Sequence, residues 1–296
     1  MMRRPSWSSW LLGATSIAAF AGFAWPLLAE AVPSEARAAV PYVAVALVPA
    51  LVVAVALTLD REMYTARTIA LLGVLTAVGT AVRIAGTGVG GVEAVFIVLI
   101  LAGRAYGARF GLLLGMTTIA LSSLLWGGIG PWTPFQAFAC GWVGAGAGLL
   151  PRIRLGSPRA AARLEIALLA AYGVVAAYAF GLIMNLWFWP FAVGYGTGIS
   201  YVSGAPIGQN LASFGLYSLL TSTLTWDTVR AVTSLVGIVL VGPAVLTALR
   251  RAKLATPRTI TPRSSAPRGG GTRTRRSTAP DAAAAPQTVP RPSARA

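Results

Sequence analysis

Apolar residues in this chain come in long runs, separated by short segments in which arginine, glycine and proline concentrate. Eight runs stand out: 10–29, 39–59, 68–85, 92–103, 110–126, 134–150, 164–189 and 229–249. Most are close to the ~20 apolar residues that a helix needs to cross a bilayer core. The pattern predicts an all-α integral membrane protein of about eight spans. Two spans fall within 1–67 and six within 68–255. A tail, 256–296, follows.

Within this frame several segments have their own reading. The first run has a basic start (Arg3, Arg4) and ends in Ala29-Glu30-Ala31, as a signal peptide would. Its length and the tryptophans near its ends (Trp10, Trp25) favour a retained helix. Pro41 lies at the start of the second run, where proline is tolerated, and Pro49 inside it predicts a kink. Residues 151–163 carry Arg152, Arg154, Arg159 and Arg163 and read as a basic loop. Residues 190–228 form a long Gly/Ser/Tyr-rich connection. Its part 210–225 is moderately apolar and is expected to be a surface or re-entrant helix, because a full crossing would carry the basic tail to the other side.

Arginine placement sets the expected orientation. Alternate connections carry Arg3/Arg4, Arg61/Arg67, Arg104/Arg109, the four arginines of 151–163, and Arg250/Arg251/Lys253. By the positive-inside rule these face the cytoplasm, with both termini. Segments 86–91, 127–133 and 190–228 then face outward, and the protein is expected in the plasma membrane.

Composition agrees and narrows the chemistry. The chain of 296 residues is 56% hydrophobic and 11% charged, against roughly a quarter charged in soluble domains. It has no histidine, which excludes His-based triads and HExxH zinc sites. Its only lysine, Lys253, follows no glycine-rich loop, so there is no Walker A site. The single cysteine, Cys140, sits in an apolar run and reads as a small buried hydrophobe. No cofactor or metal is expected, and the chain is not expected to be an enzyme. The net charge of +16 sits at span ends and in the tail, which argues for topology rather than nucleic-acid binding. The tail is rich in Pro, Ala, Ser and Arg and reads as disordered, with eight arginines available to anionic lipid or to solvent alone.

Polar residues inside the runs cluster toward the outward ends. Arg83 ends the third run and Glu93 opens the fourth. Trp126 closes the fifth, Trp132 and Gln136 flank the start of the sixth, and Asn185, Trp187 and Trp189 close the seventh. Asp227 and Arg230 begin the eighth. Ionisable groups at membrane depth tend to mark function. The expectation is an outward-open pocket whose candidate residues are Arg83, Glu93, Trp126, Trp132, Gln136, Asn185 and Trp187. Simpler readings stand beside it: an interfacial tryptophan belt, an Arg83–Glu93 pair, and an Asp227–Arg230 pair at a helix N-terminus. None of the eight acidic residues maps near the midplane, which counts against an ion-coupled pump. Small residues form a second pattern. Gly73, Ala77 and Ala81 are spaced by four along one face, and Gly111/Gly115 and Gly144/Gly148 are GxxxG pairs suited to close helix packing.

The block 96–151 carries a resemblance. An apolar span leads to AGRAYGARFG, then LLWGGIGPWTPFQAF, then GWVGAGAGLLP; Trp226-Asp227-Thr228-Val229-Arg230-Ala231 and Gly242-Pro243 follow in the last run. With these motifs the region from about Thr68 to Lys253 resembles the substrate-specific (S) component of energy-coupling factor vitamin transporters. The GPWTPFQ loop is similar to that of members taken to import cobalamin or related corrinoids. The resemblance implies a six-helix core that binds a vitamin from outside. It also implies partners, a transmembrane coupling subunit and two cytoplasmic ATPases, which would supply the nucleotide site this chain lacks. Ala77-Val78-Gly79-Thr80-Ala81 fits the family's Ala-x-x-x-Ala docking motif, which would place Gly73, Ala77 and Ala81 against the coupling subunit. The two N-terminal spans are additions to the family core. Two other functions remain open at this stage: a stand-alone ion-coupled transporter, and a structural or assembly membrane protein with no small ligand.

Overall fold

Helix formation follows the apolar runs closely. The structure, a computed structural model, describes residues 7–29, 35, 38–59, 65–86, 92–153 and 155–254. The expected tail, the basic residues Arg3 and Arg4, and Arg37 lie outside the described residues. The elements are α1 (Trp7–Phe23), α2 (Trp25–Leu28), α3 (Val40–Leu59), α4 (Ala66–Ala85), α5 (Val95–Tyr106), α6 (Ala108–Trp126), α7 (Thr133–Leu149), α8 (Pro158–Ala192), α9 (Ile207–Ser218) and α10 (Thr228–Leu254). No strand occurs among the described residues. Among the described residues, four helical stretches are long and apolar enough to cross a membrane: Ala66–Ala85, Ala108–Trp126, Pro158–Ala192 and Ile207–Ala252. Shorter apolar helices accompany them. This architecture is that of a helical protein suited to a multi-pass membrane setting.

Local chemistry sets where the helices begin and end. Thr65 caps α4 by accepting from the Thr68 N–H at 3.3 Å. Gly107, at φ +104°, is the single residue between α5 and α6, a reversal that residues with a Cβ rarely make. Gly127, at φ +76°, ends α6 in the left-handed conformation, and the Gly128 N–H returns to the Ser123 carbonyl at 3.0 Å. Pro134 then sits in the first turn of α7, where its missing N–H is harmless.

The shortest of these apolar helices is also the most enclosed. α5 has twelve residues, about 18 Å of helix, too little to span the ~30 Å hydrocarbon layer by itself. Phe96, Leu99, Ile100, Leu101 and Ala102 are fully buried, so α5 is apolar on every side and serves as the centre of the bundle. α6 and α7 cross it where side chains vanish. A Cβ on Gly103 or Gly111 would run into the backbone of Gly144, and one on Gly115 into that of Cys140 and Gly141. Both GxxxG pairs are therefore packing devices: Gly148 meets the backbone at Gly107 and Ala108 in the same way.

α8 and α10 run antiparallel along their length. Arg250 reaches Glu165, Gly173 faces Ser234 and Ile238, Gly181 faces Asp227, and Asn185 meets Ser218. Two expectations are corrected along this pair. Residues 158–163 are not loop: Ser157 caps α8 by accepting from the Ala160 N–H, Pro158 opens it, and Arg159 and Arg163 ride on its first turns. The segment 210–225 is not a separate surface or re-entrant helix. α9 continues through a π-helical stretch, Leu219–Asp227, directly into α10, so one helix replaces the expected two. The predicted number of crossings after α8 is unchanged, because α9 and α10 share one direction.

The N-terminal helices lie on α7 and α8. The Phe23 ring meets Phe135 edge-on at 5.0 Å and tilts against Trp142 at 5.3 Å. The Trp25 indole donates to the Trp187 carbonyl at 2.9 Å.

Candidate functional site

The bundle has two chemically different ends. At one, Arg104 donates to Glu165 (2.8 Å) and to the carbonyls of Leu150 (2.7 Å) and Pro151 (3.0 Å). Arg250 shares the same Glu165 oxygen at 2.6 Å, Tyr106 donates to the Leu249 carbonyl, and Arg67 to that of Ala252. These groups come from alternate connections, so the antiparallel succession brings the arginine-rich segments to one end. Arg83, Glu93, Gln136, Asn185, Asp227 and Arg230 collect at the other.

That second end holds the candidate site. The π-helical stretch sets its shape. From Gly181 to Asn185, α8 advances by one turn, while the facing helix runs from Asp227 back to Ser218. Wider π turns, common at functional sites, take up the extra residues. They line a cavity of about 320 Å³ with Thr221, Ser222, Trp226 and Asp227. Glu93, Gln136, Phe180, Met184, Asn185, Tyr217 and Arg230 complete its wall.

At its base is a buried charge cluster. Arg230 donates from Nε to Glu93 Oε2 at 2.7 Å and from Nη1 to Asp227 Oδ1 at 2.5 Å. The second oxygen of Asp227 accepts from Ser222 at 2.7 Å. The Arg230 guanidinium carbon lies 4.8 Å from the Phe180 ring centre and 5.7 Å from that of Phe96, a cation–π arrangement on two rings. Asp227 is fully buried, whereas 38% of the Glu93 side chain is exposed at the cavity wall. Asp227 and Arg230 thus hold the paired geometry that their spacing suggests, and they also line the cavity. Glu93 takes Arg230 as its partner, not Arg83.

Arg83 is anchored beside the cavity. Its guanidinium donates to Ser122 Oγ at 3.0 Å and to Gln136 Oε1 at 3.2 Å. With Arg83 on its oxygen, Gln136 has an amide NH₂ that can donate to a ligand. Asn185 is the complement: its NH₂ donates to Ser218 at 3.0 Å, which leaves the oxygen as acceptor. One wall therefore offers a donor, the other an acceptor, and Glu93 adds a half-exposed carboxylate.

The tryptophans fall elsewhere. Trp187 is 2% exposed and stacked on Phe135 at 4.2 Å with the rings 5° apart. Two positions along a helix rotate a side chain by about 200°, so Trp187 points away from the Asn185 side. Trp126 and Trp132 are 58% and 43% exposed and do not line the cavity. Trp226 does. Tyr217, Thr221 and Ser222 come from a segment no motif identified, and Phe180 from the middle of an apolar run. Asn210, equally unassigned by motif, is 1% exposed and bonds both the N–H and the carbonyl of Val202, closing its own loop.

The small-residue stripe of α4 lies on the bundle surface. Gly73, Ala77 and Ala81 are exposed, while Thr76, Gly79 and Thr80 face α6, where Thr76 and Thr117 hydroxyls meet at 2.8 Å. No group of His, Cys, Asp or Glu suited to a metal occurs among the described residues. No family model matches the chain, and neither a curated protein nor a solved structure matches it.

Proposed function

We propose that this chain is the substrate-binding membrane subunit of an ATP-driven importer of the energy-coupling factor type, capturing a vitamin at its outer end. The observation that carries the reading is the convergence of Glu93, Gln136 and Asn185, from three separate segments, on one cavity with Arg83 behind it. All four were candidates on sequence grounds. In this reading eight spans cross the plasma membrane, both termini are cytoplasmic, and the Arg104–Glu165–Arg250 end faces inward. A transmembrane coupling subunit docks on the exposed Gly73–Ala77–Ala81 face of α4, and two cytoplasmic ATPases supply the energy.

The cavity volume is at the lower end of the ~300–1,000 Å³ range of ligand sites, which suits a vitamin of one or two rings. A cobalamin-like corrinoid is larger and requires the cavity to widen. Binding would use the Gln136 amide as donor, the Asn185 oxygen and Glu93 carboxylate as acceptors, and Phe180, Tyr217 and Trp226 as apolar walls. Mass spectrometry of ligand retained by the purified full-length chain, followed by titration with B vitamins and corrinoids without ATP, tests this. Sub-micromolar binding of one of them is expected. Binding of none overturns the reading.

One observation favours a second reading, an ion-coupled transporter working alone. Asp227 is wholly buried and lies level with Gly181, roughly 24 Å along α8 from Glu165. A buried acid paired to arginine is a recurrent element of proton relays. Uptake by proteoliposomes containing this chain and no ATPase would select it.

A further inference from the structure

At the arginine-rich end, a groove of about 400 Å³ runs between α8 and α10, and the transport reading does not use it. Its head carries Arg163 and Arg250; Ile166, Val239, Pro243 and Leu246 line the rest. From Thr247 to Val239 the groove follows α10 for about 12 Å, into the apolar part of the helix. Leu246 is buried at 3% exposure and forms a floor, whereas Val239 is 51% exposed and leaves the groove open at the side. Pro243 has no N–H to offer the Val239 carbonyl, so α10 lacks that backbone hydrogen bond where it lines the groove.

Charge at the head is unbalanced. Glu165 is the one acid among the described residues that line the groove, and its Oε1 is already shared by Arg104 and Arg250. Arg163, two residues before Glu165, is exposed, as are Arg159 one turn earlier on α8 and Arg251 beside Arg250. A cationic head above an apolar, sideways-open channel is amphipathic in the sense of a lipid: phosphate at the arginines, acyl chain along Val239 and Ile166. A soluble anion would satisfy the head and leave the channel wet. A zwitterionic lipid would fill the channel without matching the positive excess.

We infer that the α8–α10 groove is a binding site for one anionic phospholipid, its phosphate held by Arg163 and Arg250 and one acyl chain lying against Val239, Pro243 and Leu246. Basic pockets between membrane helices on the cytoplasmic side bind such headgroups. The inference needs the chain to lie in a membrane but is independent of any vitamin.

Native mass spectrometry of the full-length protein, released from bilayers of equal phosphatidylglycerol and phosphatidylcholine, tests it. Wild type is expected to retain one phosphatidylglycerol in preference to phosphatidylcholine. Arg163→Gln should cut that preference about fivefold, and Arg152→Gln, a cation at the same end but outside the groove, should leave it unchanged. Val239→Trp keeps every charge and fills the channel, so retention should be lost while the protein still melts like wild type. Equal retention of the two lipids, equal effects of Arg163→Gln and Arg152→Gln, or full retention by Val239→Trp would each overturn the site. Displacement of the lipid by soluble glycerol 3-phosphate would show recognition of phosphate alone, and would overturn it as well.

Discussion

Arg230 on the last helix donates to Glu93, 137 residues earlier in the chain, at 2.7 Å, and so ties α10 to the turn that opens α5. The same guanidinium holds Asp227 one turn back on its own helix, so three charges are fixed by one side chain. Its two legs differ in exposure, and that difference orders the expected losses. Removing Arg230 leaves the buried Asp227 carboxylate with Ser222 as a partner but no opposing charge, at a cost of roughly 3–5 kcal/mol. Arg230→Met should therefore lower the thermal midpoint of the detergent-purified protein sharply. Glu93→Gln relieves only a half-exposed pair and should cost about 1 kcal/mol or less. Equal effects in a melting comparison would show that burial of Asp227 is not what the arginine answers.

Ligand affinity divides along the cavity wall. Gln136→Leu removes the amide donor and leaves Arg83 facing a side chain that cannot accept. A lost hydrogen bond of about 1.5–3 kcal/mol to a charged or polar ligand group corresponds to a roughly ten- to hundredfold weaker Kd. Trp126→Ala, outside the cavity, should leave Kd within about twofold. Calorimetric titration with the retained vitamin reads both.

Close helix approach makes a separate prediction. Gly144 touches the backbones of both Gly103 and Gly111, where nothing flexible can give way. Gly144→Val should prevent α5, α6 and α7 from closing, at a cost above the ~1–3 kcal/mol typical of overpacking. Gly73→Val, where nothing lies within 4 Å, should fold normally. Size-exclusion profiles and melting curves distinguish the two.

The exposed α4 stripe predicts a split between binding and transport. Ala77→Trp with Ala81→Trp puts bulk on positions exposed among the described residues, so ligand binding should persist. Uptake by cells that express the whole importer should fall to background if the coupling subunit docks there. Undiminished uptake removes that docking face.

Helix positions were largely legible because membrane-type helices are set by unbroken apolar composition, which needs no long-range information. α3 and α4 begin and end within two residues of the apolar runs. The start of α8 was missed because Arg159 and Arg163 look like a loop, although Ser157 followed by Pro158 is a helix-start signal. The continuity of α9 with α10 was not legible. Arginine bias fixes the parity of crossings and is silent on whether a helix is interrupted, and π turns have no composition of their own. At the site, depth was readable for Glu93, Gln136 and Asn185, while direction was not. Trp187 shares their level and faces the opposite way, toward Phe135. The Glu93 partner lies 137 residues away, so no local spacing could choose Arg230 over Arg83.

Capture from the exterior requires the cavity to face the outer side of the membrane. The one cysteine, Cys140, is buried, so a single introduced cysteine reports alone. Ile129→Cys lies in the turn beside the cavity and Leu155→Cys at the arginine-rich end, and both positions are exposed. Treated with a membrane-impermeant maleimide in intact cells, Ile129→Cys should label and Leu155→Cys should label only after permeabilisation. Labelling of Leu155→Cys from outside, with Ile129→Cys protected, would invert the topology and contradict capture from the exterior.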